Sequence, residues 1–84
     1  MKPQNILEGF ENLIEHLSID LRYEKGDFAG GLCRMPGKNI MIINAKLPTE
    51  NKIKVIAAEL RQMELNHIYI RPVLRKIIED GSIV

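Results

Sequence analysis

The residues from which covalent or acid–base chemistry could start in this chain are the single cysteine, Cys33, the histidines His16 and His67, and Glu59. A thiol becomes a nucleophile when a base or a positive environment lowers its pKa. Cys33 lies in Gly30-Gly31-Leu32-Cys33-Arg34. Arg34 is its neighbour in sequence, but successive residues of a strand point to opposite faces. Nothing in the spacing brings an imidazole to it. The glycines leave room for a ligand beside the thiol; without one, Cys33 reads as a small buried hydrophobe. His16 falls at the edge of a polar helix face. His67 falls just past a helix end, where an imidazolium would suit the dipole. Neither belongs to a metal-ligand spacing, so no metal and no cofactor is expected. The basic residues Lys52, Lys54, Arg61, Arg71, Arg75 and Lys76 are diluted by Glu64, Glu79 and Asp80. They belong to no nucleic-acid module, which makes nucleic acid the least supported partner. No phosphate-cradling glycine loop is present.

The elements that position these residues follow from periodicity. Ile6, Phe10, Leu13, Ile14 and Leu17 form one stripe of a helix over about residues 4–18. Ile19, Leu21 and Tyr23 then alternate with Asp20, Arg22 and Glu24, the pattern of a half-buried strand. Lys25-Gly26-Asp27 is a turn. A second strand over 28–35 is interrupted by Gly30-Gly31, which predicts a bulge or a close backbone approach. Pro36-Gly37 turns the chain into an antiparallel third strand, Ile40-Met41-Ile42-Ile43. That strand is apolar on both faces. It is expected at the centre of the sheet and covered on both sides, by a helix and by a helix or a dimer partner. A second helix opens at Pro48 or Thr49 and is expected to run to about Asn66. Ile53, Ile56, Ala57, Leu60 and Met63 make its main stripe; Val55, Ala58, Gln62 and Leu65 make another beside it. A third helix starts at Pro72 and stops at Gly81. The fold class is α+β, in the order α-β-β-β-α-α, with a three-stranded, mainly antiparallel sheet packed by helices.

The strand exit Ile42-Ile43-Asn44-Ala45-Lys46-Leu47-Pro48, followed by Ile56-Ala57-Ala58-Glu59-Leu60-Arg61-Gln62-Met63, resembles the ImmA/IrrE-type zincin-like peptidases. Members of that family have a helix and three strands, then an N-x-x-L-P exit and a helix of the form A-H-E-L-G-H. The resemblance implies a single zincin-like domain over residues 1–84. It does not carry the catalytic part with it. A zincin needs imidazoles at i and i+4 of one helix face, with a glutamate between as general base. Ala58 and Gln62 stand where the ligands would be, and Glu59 alone matches. Metallopeptidase activity is therefore not expected.

The chain has 84 residues, 45% of them apolar, with a net charge of +1. That is one small globular domain. A lone cysteine rules out an internal disulfide and suggests a cytoplasmic protein. No apolar run approaches a membrane span, and the polar, acidic start fits no signal peptide. Residues 1–32 carry 3 basic and 6 acidic groups, and residues 33–84 carry 9 and 5, a mild dipole from −3 to +4. A fully apolar strand and a helix with two stripes give more apolar surface than so short a chain can cover. The expected role is a non-catalytic scaffold or interaction protein, forming a homodimer or binding a protein partner. Val55, Ala58, Gln62 and Leu65 would be the cleft or interface face. The alternatives are a small enzyme or ligand-binding protein using Cys33 and Glu59, and a weak nucleic-acid binder.

Overall fold

The computed structural model describes residues 2–81. Helix α1 spans Pro3–His16, followed by β1 (Ile19–Glu24), β2 (Gly30–Met35), β3 (Lys38–Asn44), α2 (Thr49–Arg61) and α3 (Pro72–Asp80). The expected order is the observed one. Proline at the first helical position opens α1, and Ile6, Leu7, Phe10, Leu13 and Ile14 are its buried stripe. The helix closes where the Leu17 N–H bonds back to Leu13 and Ile14. Ser18 at φ +59 then turns the chain into β1. A left-handed Gly81, φ +70, caps α3, and its N–H reaches the Ile77 carbonyl at 2.7 Å.

Strand β3 lies between the other two. The Pro36-Gly37 turn, with Gly37 at φ +74, makes β2 and β3 an antiparallel hairpin in the register Leu32↔Met41. Strand β1, however, pairs with β3 in parallel, Leu21↔Met41. The sheet is thus mixed rather than mainly antiparallel. The cause is the connection over residues 25–29, which passes across the end of β3 instead of closing a hairpin between β1 and β2. Asn44 holds that crossing. It is 8% exposed. Its Nδ2 donates to the Gly26 carbonyl at 3.0 Å, its Oδ1 accepts from the Lys46 N–H at 2.9 Å, and its own N–H donates to Ala29 at 3.0 Å.

All three helices pack into one core with one face of the sheet. Ile19, Met41 and Ile43 enter from the sheet; Phe10, Ile53, Ile56, Leu60 and Leu74 meet them from the helices. Leu21 and Leu32 pack against the same cluster. Within a single copy, helices cover β3 on one face only. Met41 and Ile43 are fully buried, but Ile40 and Ile42 point the other way, remain partly exposed and take no part in the core. The molecule measures 30 × 29 × 18 Å, the thickness of a sheet and a single helical layer.

Helix α2 ends at Arg61, short of the expected Asn66. The Gln62 and Met63 N–H groups bond three residues back, to Glu59 and Leu60, which tightens and closes the last turn. Leu65 and Ile70 can then turn into the core from the connector. Arg61 stays engaged: its Nε donates to the Ile78 carbonyl at 2.6 Å, near the negative end of α3.

The predicted bulge or close approach at Gly30 is present. Gly30 has φ +152, and a Cβ there would lie 2.6 Å from the Ile42 carbonyl oxygen, 3.0 Å from Val55 and 3.1 Å from Ile43. The substitution Gly30→Ala should therefore cost more stability than is usual for a surface strand residue. Asn44→Ala removes a buried donor and acceptor at once and should destabilise by about 1–3 kcal/mol. Urea denaturation checks both; an Asn44→Ala midpoint equal to that of the parent would show that the crossing does not need the amide.

Candidate functional site

The zinc-helix positions come first. Ala58 and Gln62 are both exposed, and Gln62 is the C-cap of α2 rather than an interior helical residue. Val55 is partly buried against the core, and Leu65 is buried in the connector beyond the helix. The expected stripe Val55, Ala58, Gln62, Leu65 is thus divided between core and solvent. Among the described residues, no three His, Cys, Asp or Glu side chains converge as a metal ion would require.

Glu59 is partly buried on the side of α2 that faces β2. Its Oε1 lies 3.9 Å from where a Cβ on Gly31 would be. Among the described residues no lysine or arginine forms an ion pair with it. Glu59 therefore lies beside Gly31. Cys33 lies further along β2, level with Ile40 of β3, and is exposed rather than buried. Neither imidazole serves it. His67 Nδ1 is 3.1 Å from Glu64 Oε2, in the connector rather than at a helix end. The same carboxylate accepts from the Asn66 N–H at 2.7 Å, and these two bonds hold the Glu64 pKa below its ordinary value. His16 is exposed in the last turn of α1. A thiolate at Cys33 has no general base in this arrangement.

What the sequence hid is the open face of the sheet. Ile40 and Ile42 of β3 run along its middle. Cys33 and Met35 of β2 flank them on one side, and Asp20, Arg22 and Glu24 of β1 on the other. Met35 is 56% exposed. Asp20 accepts from Arg22 at 2.9 Å and lies 3.8 Å from Lys38 Nζ. The charges of the face thus cancel among themselves. The lack of alternation in the third strand was the available signal, since a strand apolar on both sides carries apolar side chains to both faces of the sheet. A second unforeseen feature is a cavity of about 240 Å³ between α1 and the start of α3, lined by His16 and Arg71 among others.

A third is Tyr23, which joins three elements. Its hydroxyl donates to Glu11 of α1 at 2.5 Å, and Lys52 of α2 lies 5.3 Å from the centre of its ring. Burial raises the phenol pKa, and the hydrogen bond and negative charge of Glu11 raise it further. A phenol whose folded pKa is raised stabilises the fold fully below its ordinary value, about 10. That contribution is lost as pH climbs through the folded value. Tyr23→Phe should lower stability by about 1 kcal/mol at pH 7, a modest figure because the ring is 37% exposed. The gap between the two proteins should narrow above about pH 10. Denaturation curves between about pH 7 and 11 test this, and a gap that widens with pH would contradict it.

Comparison with protein-family models, with curated proteins and with solved structures finds no match to this chain, so its function is read from the geometry above.

Proposed function

We propose that this protein is a non-catalytic interaction module, built on a zincin-like order of elements, that associates with a second copy of itself through the open face of its sheet. The observation that carries the reading is the orientation of Ile40 and Ile42, apolar side chains of the central strand with no helix over them. A second copy suits this face better than a charged partner does. Asp20, Glu24, Arg22 and Lys38 leave it with no net charge, so it neither attracts nucleic acid nor repels its own copy. The basic residues on the helical side are partly committed to the fold: Arg61 bonds Ile78, and Arg75 reaches the Ile68 carbonyl at 3.5 Å.

The size of the face sets the strength of the association. Three strands about 4.8 Å apart, each rising about 3.3 Å per residue, offer only a few hundred Å². A standard interface buries about 800 Å² from each partner. Ile40 and Ile42 are already partly screened by their neighbours, so each gains at most about 1 kcal/mol on further burial. The dimer should be weak, with a dissociation constant of about 100 μM.

Sedimentation velocity over a concentration series up to about 1 mM, about tenfold above that constant, should show a monomer–dimer equilibrium. Ile42→Glu should shift it to monomer. Met35→Glu, at an exposed edge position that cannot unfold the core, should weaken it in the same direction. A clean monomer at the highest concentration, or dimers unaffected by both substitutions, would remove the reading. Cys33 supplies a second readout. Its labelling by a thiol reagent should slow as protein concentration rises, because the face that carries it becomes covered.

A further inference from the structure

The cavity between α1 and α3 lies in the helical layer, away from the open sheet face. Its floor is apolar: Leu13, Ile70 and Leu74 are all buried. Gly9 belongs to the same wall, and a Cβ there would lie 3.3 Å from Leu74, so the lack of a side chain keeps the floor open. The rim is polar and comes from two distant parts of the chain. Asn12 and His16 stand on α1; Tyr69 and Arg71 stand on the connector leading into α3. Among the described residues no carboxylate lines the cavity.

We propose that this cavity binds a small organic carboxylate with an apolar, single-ring-sized body. The lining selects that chemistry. Arg71 is exposed at the N-cap of α3, and its side chain makes no capping bond there. Its planar fork matches a carboxylate in two bonds. The positive end of the α3 dipole adds to the same preference. His16 and Asn12 offer further donors across the rim, while the buried leucines and isoleucine below accept an apolar group and give inorganic anions nothing. Tyr69, 81% exposed, stands beside Arg71 with an unused aromatic face. A volume of about 240 Å³ is below the ordinary range for drug-sized ligands, about 300–1,000 Å³, and suits a fragment.

Benzoate is the probe, and amide chemical shifts of the full chain are the readout. Saturable shifts should be confined to the neighbourhood of Gly9, Asn12, His16, Tyr69 and Arg71, with a dissociation constant of about 1 mM, as a ligand of this size allows. Benzamide, the neutral isostere, should bind at least about fivefold more weakly, as should benzoate to Arg71→Gln. That variant changes an exposed side chain outside the core and should keep the parent spectrum elsewhere. The proposal is overturned if benzoate produces no saturable, localised shifts up to about 20 mM. It is equally overturned if Arg71→Gln binds benzoate as the parent does, or if benzylamine binds as well as benzoate. Inorganic phosphate shifting the same residues as strongly would refute the requirement for an apolar body.

Discussion

One buried amide decides which strand lies in the middle of this sheet. Asn44 joins the end of β3 to the loop that connects β1 with β2, through the Gly26 and Ala29 carbonyls, and turns the chain towards α2 through Lys46. With that loop carried across the end of β3, β1 and β2 lie on either side of it. The central strand then feeds Met41 and Ile43 into the core and directs Ile40 and Ile42 the other way. An amide is suited to the task because it donates and accepts at once and stays neutral when buried. The N-x-x-L-P exit therefore has a structural reason for its asparagine, independent of any chemistry on the following helix.

The second consequence is a shortage of cover. A sheet has two faces; α1 and α2 pack on one of them, and α3 packs against those two helices. The helical layer closes over a well-filled core, helped by Arg61 at the end of α3 and by the Glu11–Tyr23 contact at the rim of β1. Nothing remains in the described residues to close the other side. The apolar residues left there are few and screened by neighbours, and the charges beside them neutralise one another. Such a surface is consistent with a stable monomer at low concentration and with reversible pairing at high concentration.

Much of the frame could be read from residue order. The alternation of Ile19, Leu21 and Tyr23, the stripe of α1, the Pro36-Gly37 turn and the glycine stop of α3 are local signals, and each element formed where its signal lay. The parallel pairing was implicit too: two reversals of direction with the third strand in the middle make the first and third strands run the same way. It was obscured because Lys25-Gly26-Asp27 looks like any tight turn, whereas its role depends on Asn44 far along the chain. The end of α2 was misplaced because apolar periodicity continues through Leu65, while the backbone closes at Gln62 and lets Leu65 reach the core from a loop. The cavity that both His16 and Arg71 line had no local signal, since it arises only when α1 packs beside the start of α3. Cys33 was read as buried on composition; its place on an edge strand, on the uncovered face, leaves it in solvent.

The central claim is that the uncovered face is where two copies meet. Isotope-filtered nuclear Overhauser spectroscopy on a mixture of labelled and unlabelled protein at about 1 mM, above the expected dissociation constant, looks at that contact directly. Intermolecular cross-peaks should join the methyl groups of Ile40, Ile42 and Met35 to the same residues of the second copy. Their absence at that concentration, or their appearance on the helical layer instead, would contradict the account.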